Sequence, residues 1–493
     1  METTALHEIL EAPSAADAFS TLRDWILGGE AADVPLHDVE LETEQRIREV
    51  ARLLLQEHVE RRGTGDVGSA LERLDDTSAP TLLSHRRTRD RGYASLFGPI
   101  TIRRQTYAQR GEPGIAPLDA TLSVPARVYS YPLQQRLTTA VARGPFAEAV
   151  QTLKETTGVS VAEANVADVV VDAARDFDGF YATRAGAVME TDASILVSTL
   201  DGKGVVVRPE AGERLPKREP GASGPRPNSK REARVAAVYG IAPYVRTPAE
   251  VLQQMGPTRG PTPTKPARPR PHDKRVWASM QKSKDEIFAE VAKEMHKRDP
   301  EGTRRWVCVT DGDPALQKRA RSTLGADHEV IVILDIYHVT EYLWDAARAF
   351  YGRGSEQTQQ WVDYYLEKIL YGEASEAARG MRQSATKQGL RGKKRKAVDA
   401  AARYLVRNRE YMKYDEYLGA GLPIGSGVAE GTCRHLVKDR MERTGMRWTM
   451  EHAEAVLRMR AIELSGDRDQ YWAYHIEHEH ERLYADSKWR TAA

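Results

Sequence analysis

The first strong hydrophobic periodicity runs from about Glu42 to Arg62, where Ile47, Val50, Leu53 and Leu54 recur at helical spacing. Residues 1 to about 40, rich in alanine and acids, carry a weaker pattern and read as a loose tail or short helices. The stretch His85-Arg86-Arg87-Thr88-Arg89 leads into strand-like Tyr93–Phe97. Gly98-Pro99 reads as a turn, and Ile100–Arg103 alternates apolar with polar, as a half-buried strand does. Together, 86–104 predict a small β-hairpin bearing arginines. Further on, Phe146, Ala149, Val150 and Leu153 predict a helix broken at Thr157-Gly158-Val159. Ser160 and Glu163 form a capping-box signature for a second helix with Val166, Val169, Val170 and Ala173 on its apolar face. Two short amphipathic helices around a glycine turn match a helix-turn-helix outline. The second carries Glu163, Asp168 and Asp172, with Asn165 alone suited to read a base edge, so an ordinary helical hairpin competes with a DNA reader.

From about residue 190 the pattern changes to strands alternating with helices. Ile195–Leu200 reads as a strand ending at Asp201-Gly202-Lys203-Gly204, and Val205–Arg208 as a second. Val235–Tyr239 reads as a third, followed by a helix from about Lys274 to His296. Trp306–Thr310 is a fourth strand ending at Asp311, with a helix over Pro314–Ser322. Val330–Leu334 is a fifth, ending at Asp335 before a helix from about His338. Three strands, a helix, then β-α-β-α is the order of an α/β ribonuclease H-like core. Residues 346–420 are helical by pattern, with Trp361, Tyr364, Tyr365 and Leu366 on one apolar face and Ala400, Tyr404 and Leu405 on another, and predict an all-helical insertion. Ser426-Gly427 precedes a helix through Glu430, Arg434 and Lys438, ending near Gly445, and Met450–Leu464 forms a last amphipathic helix. The resulting division is 1–84 helical; 85–185 hairpin plus the helix-turn-helix-like pair; 186–345 core, interrupted by a basic Pro-rich insertion at 209–272; 346–421 helical insertion; 422–493 last core helix and C-terminal helices.

Composition narrows the chemistry. The 493 residues carry 72 Lys+Arg against 71 Asp+Glu, a net charge of +1, so an anionic partner must be argued from local clusters. Two cysteines, Cys308 and Cys433, exclude a disulfide framework and fit a reducing compartment. No signal-peptide pattern opens the sequence, and no run approaches the roughly 18–20 apolar residues that span a bilayer, so a cytoplasmic protein without membrane contact is expected. Residues 203–275 hold 16 Lys+Arg and 6 Asp+Glu, and 382–396 hold Arg382, Lys387, Arg391, Lys393, Lys394, Arg395 and Lys396 with no acid. One such run is usually a solvated surface, whereas several in a chain of balanced charge point to nucleic acid.

Asp201 and Asp311 each sit just past a predicted strand and just before glycine. Singly, Asp-Gly is a turn. At the carboxyl ends of neighbouring strands, two such aspartates plus a carboxylate from a later helix can hold hard divalent cations. Glu430 is the candidate third carboxylate, with Arg434 and Lys438 at i+4 and i+8 on its helix. Surface i,i+4 salt bridges explain that spacing equally well. Asp335 is a reserve for Asp311. Arg443 and Arg447 add cations, and Trp448 reads as core more readily than as a base-stacking plane. His475, His478 and His480 form an H-x-x-H-x-H pattern that a polar terminal helix explains as well as a metal site.

The blocks Asp201–Val205, Thr310–Gln317, Ile333–Trp344 and Pro423–Glu430, the last continuing to Lys438–Met441 and Thr444–Trp448, resemble the DDE transposases of bacterial insertion sequences, specifically the ISKra-type family. The likeness extends over about 90–480. It implies a DNA transposase that cuts element ends and joins them to target DNA. Asp201, Asp311 and Glu430 would be catalytic and would hold two Mg²⁺ (or Mn²⁺) ions. The resemblance also implies terminal inverted repeats and target DNA as partners, a homo-oligomer on paired ends and a nucleoid-associated location. The DNA-binding set expected here is Arg434, Lys438, Arg443, Arg447, Lys393, Lys394, Arg395, Arg103 and Arg104. A DNA-binding derivative without strand transfer, and a nuclease on the same fold that cuts without joining, are the alternatives.

Overall fold

The computed structural model describes residues 13–74, 80–111, 114–186, 194–208, 230–255, 268–425, 427–443, 445–485 and 489–491, the side chains of 428–430 excepted. Its strands are β1 Leu71–Arg73, β2 Thr81–Leu83, β3 His85–Ser95, β4 Gly98–Ala108, β5 Ile195–Val206, β6 Lys230–Ile241, β7 His272–Ser279, β8 Arg305–Thr310, β9 Val330–Leu334 and β10 Trp489–Thr491. The helices are α1 Ala15–Leu27, α2 Leu36–Arg61, α3 Pro117–Thr121, α4 Tyr131–Arg143, α5 Phe146–Thr157, α6 Glu163–Ala173, α7 Phe177–Thr183, α8 Pro248–Met255, α9 Lys284–Arg298, α10 Pro314–Arg319, α11 Ile336–Tyr351, α12 Glu356–Leu370, α13 Ala374–Lys387, α14 Gly392–Asn408, α15 Tyr414–Gly419, α16 Gly427–Thr432, α17 Asp439–Met441, α18 Met450–Ser465 and α19 Arg468–Tyr484. By contacts the chain divides into two units, one of 1–180 with 469–493 and one of 181–468. The C-terminal helix α19 therefore groups with the N-terminal third of the chain, a partition different from the sequential one expected.

In the first unit, the N-terminal region is helical from Ala15, where Ser14 and Asp17 form a capping box. The hairpin is longer than 86–104. β3 and β4 pair from His85↔Ala108 to Ser95↔Gly98, so the two-residue turn is Leu96-Phe97 and Gly98-Pro99 already belongs to β4. The basic stretch is itself strand, because alternation lets its arginines project while Ile100 and Ile102 bury against Val59, Leu118 and Val124. Gly158, at φ +72, closes α5. The capping box expected from Ser160 and Glu163 does not form. The helix starts two residues later than that pattern requires, with Ala162 at its N-cap and no side-chain cap. The polar side of α6 is acidic: Glu163 and Asp168 are exposed, and Asp172 binds Arg127. Asn165 donates to the Tyr129 hydroxyl at 2.9 Å.

The second unit is built on a five-stranded sheet of order β7-β6-β5-β8-β9. β5, β6 and β7 are antiparallel, and β8 and β9 run parallel to β5. Three expectations change here. Asp201–Gly204 is not a turn: β5 runs unbroken from Ile195 to Val206, paired with β6 throughout. Asp-Gly is permitted in a strand when a partner supplies the hydrogen bonds that a turn would otherwise supply. The helix expected from Lys274 is instead strand β7, carrying Val276 and Trp277, and the capping box Ser283/Glu286 starts α9 ten residues later. The expected insertion 209–272 contains β6, a central strand of the sheet; its parts 209–229 and 256–267 lie outside the described residues.

The helical segment after β9 does not build a separate core. Val362, Leu366, Met381, Val398, Ala402 and Leu405 join one apolar cluster with Ile195, Val197, Val307, Val309, Ile333 and Leu343. Burial of this continuous surface, at about 25 cal/mol per Å² of apolar area, ties the helices rigidly to the strand ends beneath them. The helix expected through Glu430 to Gly445 runs as α16, a π-helical stretch Cys433–Lys438 and α17, ending at Met441. No described helix is long and apolar enough to cross a membrane.

Candidate active site

Strand register brings the two aspartates together. β5 and β8 pair in parallel from Ile195↔Arg305 to Thr199↔Val309. Asp201 lies two residues beyond the last of these pairs on β5, and Asp311 two residues beyond it on the other side, just past the end of β8. Neighbouring strands lie about 4.8 Å apart. Both aspartates line one cavity of ≈ 120 Å³, with Glu232, Arg234, Lys284 and Asp313 among its other walls.

Charge in this cavity is unevenly satisfied. Glu232 pairs with Arg234 at 3.6 Å. Asp313 pairs with Lys284 at 3.3 Å and caps α10 by accepting the Ala315 N–H at 2.9 Å. Burial pushes the Asp313 carboxyl up, but these hydrogen bonds and the Lys284 charge outweigh it and hold it below the usual carboxylate range. Asp311 accepts the Asp313 N–H at 2.9 Å and Asp201 accepts the Gly202 N–H at 2.6 Å. Among the described residues neither Asp201 nor Asp311 forms an ion pair. Both carboxylates are half-buried in the lining of this cavity.

The turn after β8 is fixed from the helical segment. The Tyr404 hydroxyl donates to the Asp311 carbonyl at 2.9 Å, and Arg407 donates to the Gly312 carbonyl at 3.2 Å. Burial first, then the neighbouring Tyr342 and Asp311, raise the Tyr404 hydroxyl far above its ordinary range, so it stays a donor. Gly312 sits at φ +88, and a Cβ there would lie 2.6 Å from the Tyr404 hydroxyl and 2.8 Å from Leu334 Cδ1. Only glycine fits that corner.

Asp335 is placed differently. It is fully buried at 0% exposure and caps α11 by accepting the Tyr337 N–H at 2.9 Å. The backbone of α16, which carries Glu430, packs against β5 and β6, whereas the Glu430 side chain lies outside the described residues. Downstream, burial alternates with a period of four through the π-helical stretch, leaving Arg434 and Lys438 exposed on one side. Arg434 pairs with Asp439 at 3.8 Å. Arg443 and Arg447 are exposed. Trp448 is buried, donates to the Met441 carbonyl at 3.2 Å and lies beneath the Arg440 guanidinium, which fixes it as a core residue. Lys393 and Lys394 are exposed in the first turn of α14, and Arg395 pairs with Asp399 at 3.0 Å. In the first unit, Arg103 stands opposite Asp90 on the hairpin, whereas Arg104 is half-buried and ion-paired with Asp119.

The three histidines do not converge. His475 meets Asp176 at 2.7 Å, His478 the Tyr474 carbonyl at 2.9 Å and His480 the Ser123 hydroxyl at 3.1 Å. Among the described residues no group of three or more His, Cys, Asp or Glu side chains is assembled to hold a metal ion. Asp201 and Asp311 offer oxygen donors only, the kind that hard divalent cations take in preference to soft metals. Sequence reading missed Lys284, Tyr404 and Arg407. Ser283-x-x-Glu286 was the available signal for Lys284, because it places a helix start there.

No protein-family model matches this chain, and no curated protein matches it. Among solved structures, the chain is similar to the Drosophila P element transposase in its strand transfer complex. The identity is 10%, the TM-score 0.22 and the coverage 72% of this chain and 82% of that one. A likeness of that size carries neither fold nor activity over to this chain.

Proposed function

We propose that the second unit is a ribonuclease H-like core and that the protein is a DDE-type DNA transposase of an insertion sequence. The observation that carries this reading is the pair Asp201, on β5, and Asp311, just past the end of the adjacent parallel β8, lining one cavity and lacking any ion-pair partner among the described residues. Asp201, Asp311 and Glu430 would hold divalent cations, Mg²⁺ or Mn²⁺. Bound there, two such ions supply activation of an attacking hydroxyl and stabilisation of the leaving 3′-oxygen.

The chain's own residues do the rest. Tyr404, donating to the Asp311 carbonyl, and Arg407, donating to the Gly312 carbonyl, keep the Asp311 corner in place before substrate arrives. Lys284 and Arg234 keep the neighbouring acids neutralised, so the unbalanced negative charge falls on Asp201 and Asp311. Arg434, Lys438, Arg443, Arg447, Lys393, Lys394 and Arg395 contact the phosphodiester backbone on either side of the scissile bond, and Arg103 and Arg104 contact it from the hairpin. Water attacks the phosphodiester at the element's 3′ end, and the P–O3′ bond breaks to leave a 3′-hydroxyl on the element and a 5′-phosphate on the flank; that hydroxyl attacks a target phosphodiester, whose own P–O3′ bond breaks as the new one forms. Element ends are bound as a pair by a homo-oligomer.

Labelled element ends and a supercoiled target, incubated with Mg²⁺, test this reading. Wild type is expected to cut and join, and Asp201→Asn, Asp311→Asn and Glu430→Gln each to lose at least about a thousandfold in both, as loss of a charge-stabilising group does. Unchanged cleavage and joining in all three variants contradicts it. Cutting without any joined product assigns a nuclease instead, and footprint protection with no cutting assigns a DNA-binding protein.

A further inference from the structure

The hairpin of the first unit carries a second site. Alternation places His85, Arg87, Arg89 and Arg91 of β3 on one face, opposite Ala108, Thr106, Arg104 and Ile102 of β4. Arg89 thus faces Arg104 directly across the ladder, an arrangement that destabilises a hairpin when nothing neutralises it. The opposite face does not repeat this, since there Asp90 faces Arg103. One carboxylate, Asp119, serves two guanidinia: it binds Arg104 and, at 2.8 Å, Arg91. Arg87 and Arg89 have no ion pair among the described residues. Burial, then the charges of Arg91 and Arg89, press the Arg104 guanidinium below its ordinary range.

Arg87, Arg89 and Arg104 line a cavity of ≈ 440 Å³ whose wall also includes Arg73, Asp119, Tyr484 and Trp489. That volume falls in the ordinary range for small-molecule sites, about 300–1,000 Å³. Guanidinium forks match phosphate oxygens two at a time. Aromatic planes beside them suit a base, which stacks without regard to its sequence.

We propose that this pocket binds a nucleoside phosphate, its phosphate held by Arg87, Arg89 and Arg104 and its base against Tyr484 or Trp489. The ligand is either a free nucleotide or the unpaired terminal nucleotide of a DNA strand. The site lies within the first unit; it shares only Arg104 with the DNA-backbone contacts proposed above and does not depend on the function proposed for Asp201 and Asp311.

Calorimetric titration of the full chain at physiological salt tests it, with ATP, a 5′-phosphorylated single-stranded hexanucleotide, its 5′-hydroxyl twin and pyrophosphate as probes. Wild type is expected to bind ATP, or the 5′-phosphorylated strand in preference to its twin. ATP binding identifies a free nucleotide and the strand preference identifies a strand end. The double variant Arg87→Ala/Arg89→Ala is expected to lose at least about tenfold in that affinity, as loss of two charge-assisted contacts demands. Arg86→Ala, on the other face and paired with Asp66, is expected to keep it. Because Arg87 and Arg89 are exposed and the variant relieves repulsion, its unliganded melting temperature should equal or exceed that of wild type. Equal binding by wild type and the double variant overturns the proposal, as does binding of pyrophosphate alone or of no probe.

Discussion

Gly312 shows how tightly one residue can define a site. Its left-handed φ and the closeness of Tyr404 and Leu334 leave no room for a side chain. Gly312→Ala is therefore expected to cost about 2–4 kcal/mol, combining backbone strain and overpacking, and to abolish strand cleavage; urea unfolding and the cleavage assay check the two effects separately. Asp176 makes a second prediction at this scale. Burial pushes its carboxyl up, but hydrogen bonds from His475 and Arg482 outweigh that and hold it well below the usual carboxylate range. A depressed carboxyl contributes stability that is complete above its unfolded value, near 4, and is lost as pH falls through the folded value. Unfolding free energy is thus expected to drop below about pH 4. Asp176→Asn is expected to cost about 3 kcal/mol at pH 7, as breaking a buried pair does, and to show a flatter acid limb. At this scale the sequence singles out the aspartates beside glycine as candidates. It reads Tyr404 only as part of an apolar face, because its hydroxyl meets a carbonyl 93 residues away.

Elements were legible where the hydrophobic period was long and clean. The strands ending at Asp311 and Asp335 and the helices after them lie where alternation and capping place them. Two failures share a cause: a local turn or helix pattern overridden by a distant partner strand. Asp201–Gly204 looks like a turn until β6 supplies hydrogen bonds along its whole length, and 272–279 looks like the start of a helix until β6 pairs with it. The start of α14 belongs to this scale as well. Lys393 and Lys394 crowd the positive end of a helix dipole without an ion pair among the described residues, an arrangement that bound phosphates relieve. Lys393→Gln/Lys394→Gln is expected to weaken DNA binding without regard to sequence. It should also lower the slope of log affinity against log salt by about 1.8, at 0.9 per phosphate contact. A slope unchanged in a binding titration from low to high salt would remove this helix from the DNA path.

For the molecule as a whole, the sheet order and the shared core decide what can be a site. Placing β5 between β6 and β8 sets Asp201 beside Asp311 although they are 110 residues apart in the chain. Packing the helical segment into the same apolar cluster lets Tyr404 and Tyr414 reach the carboxyl ends of β8 and β9. Neither fact could be read from one sequence, because strand order and the sharing of a core are set by contacts between distant segments. The central claim is that Asp201 and Asp311 grip the same cations. A crystal structure of the full chain with a DNA end and Mn²⁺, located by its anomalous signal, measures this directly. Oxygens of both Asp201 and Asp311 are expected about 2.0–2.2 Å from one ion, near the distances of hard-cation sites. An ion held by Asp313, Glu232 or Asp335, with Asp201 outside its coordination shell, would contradict the account.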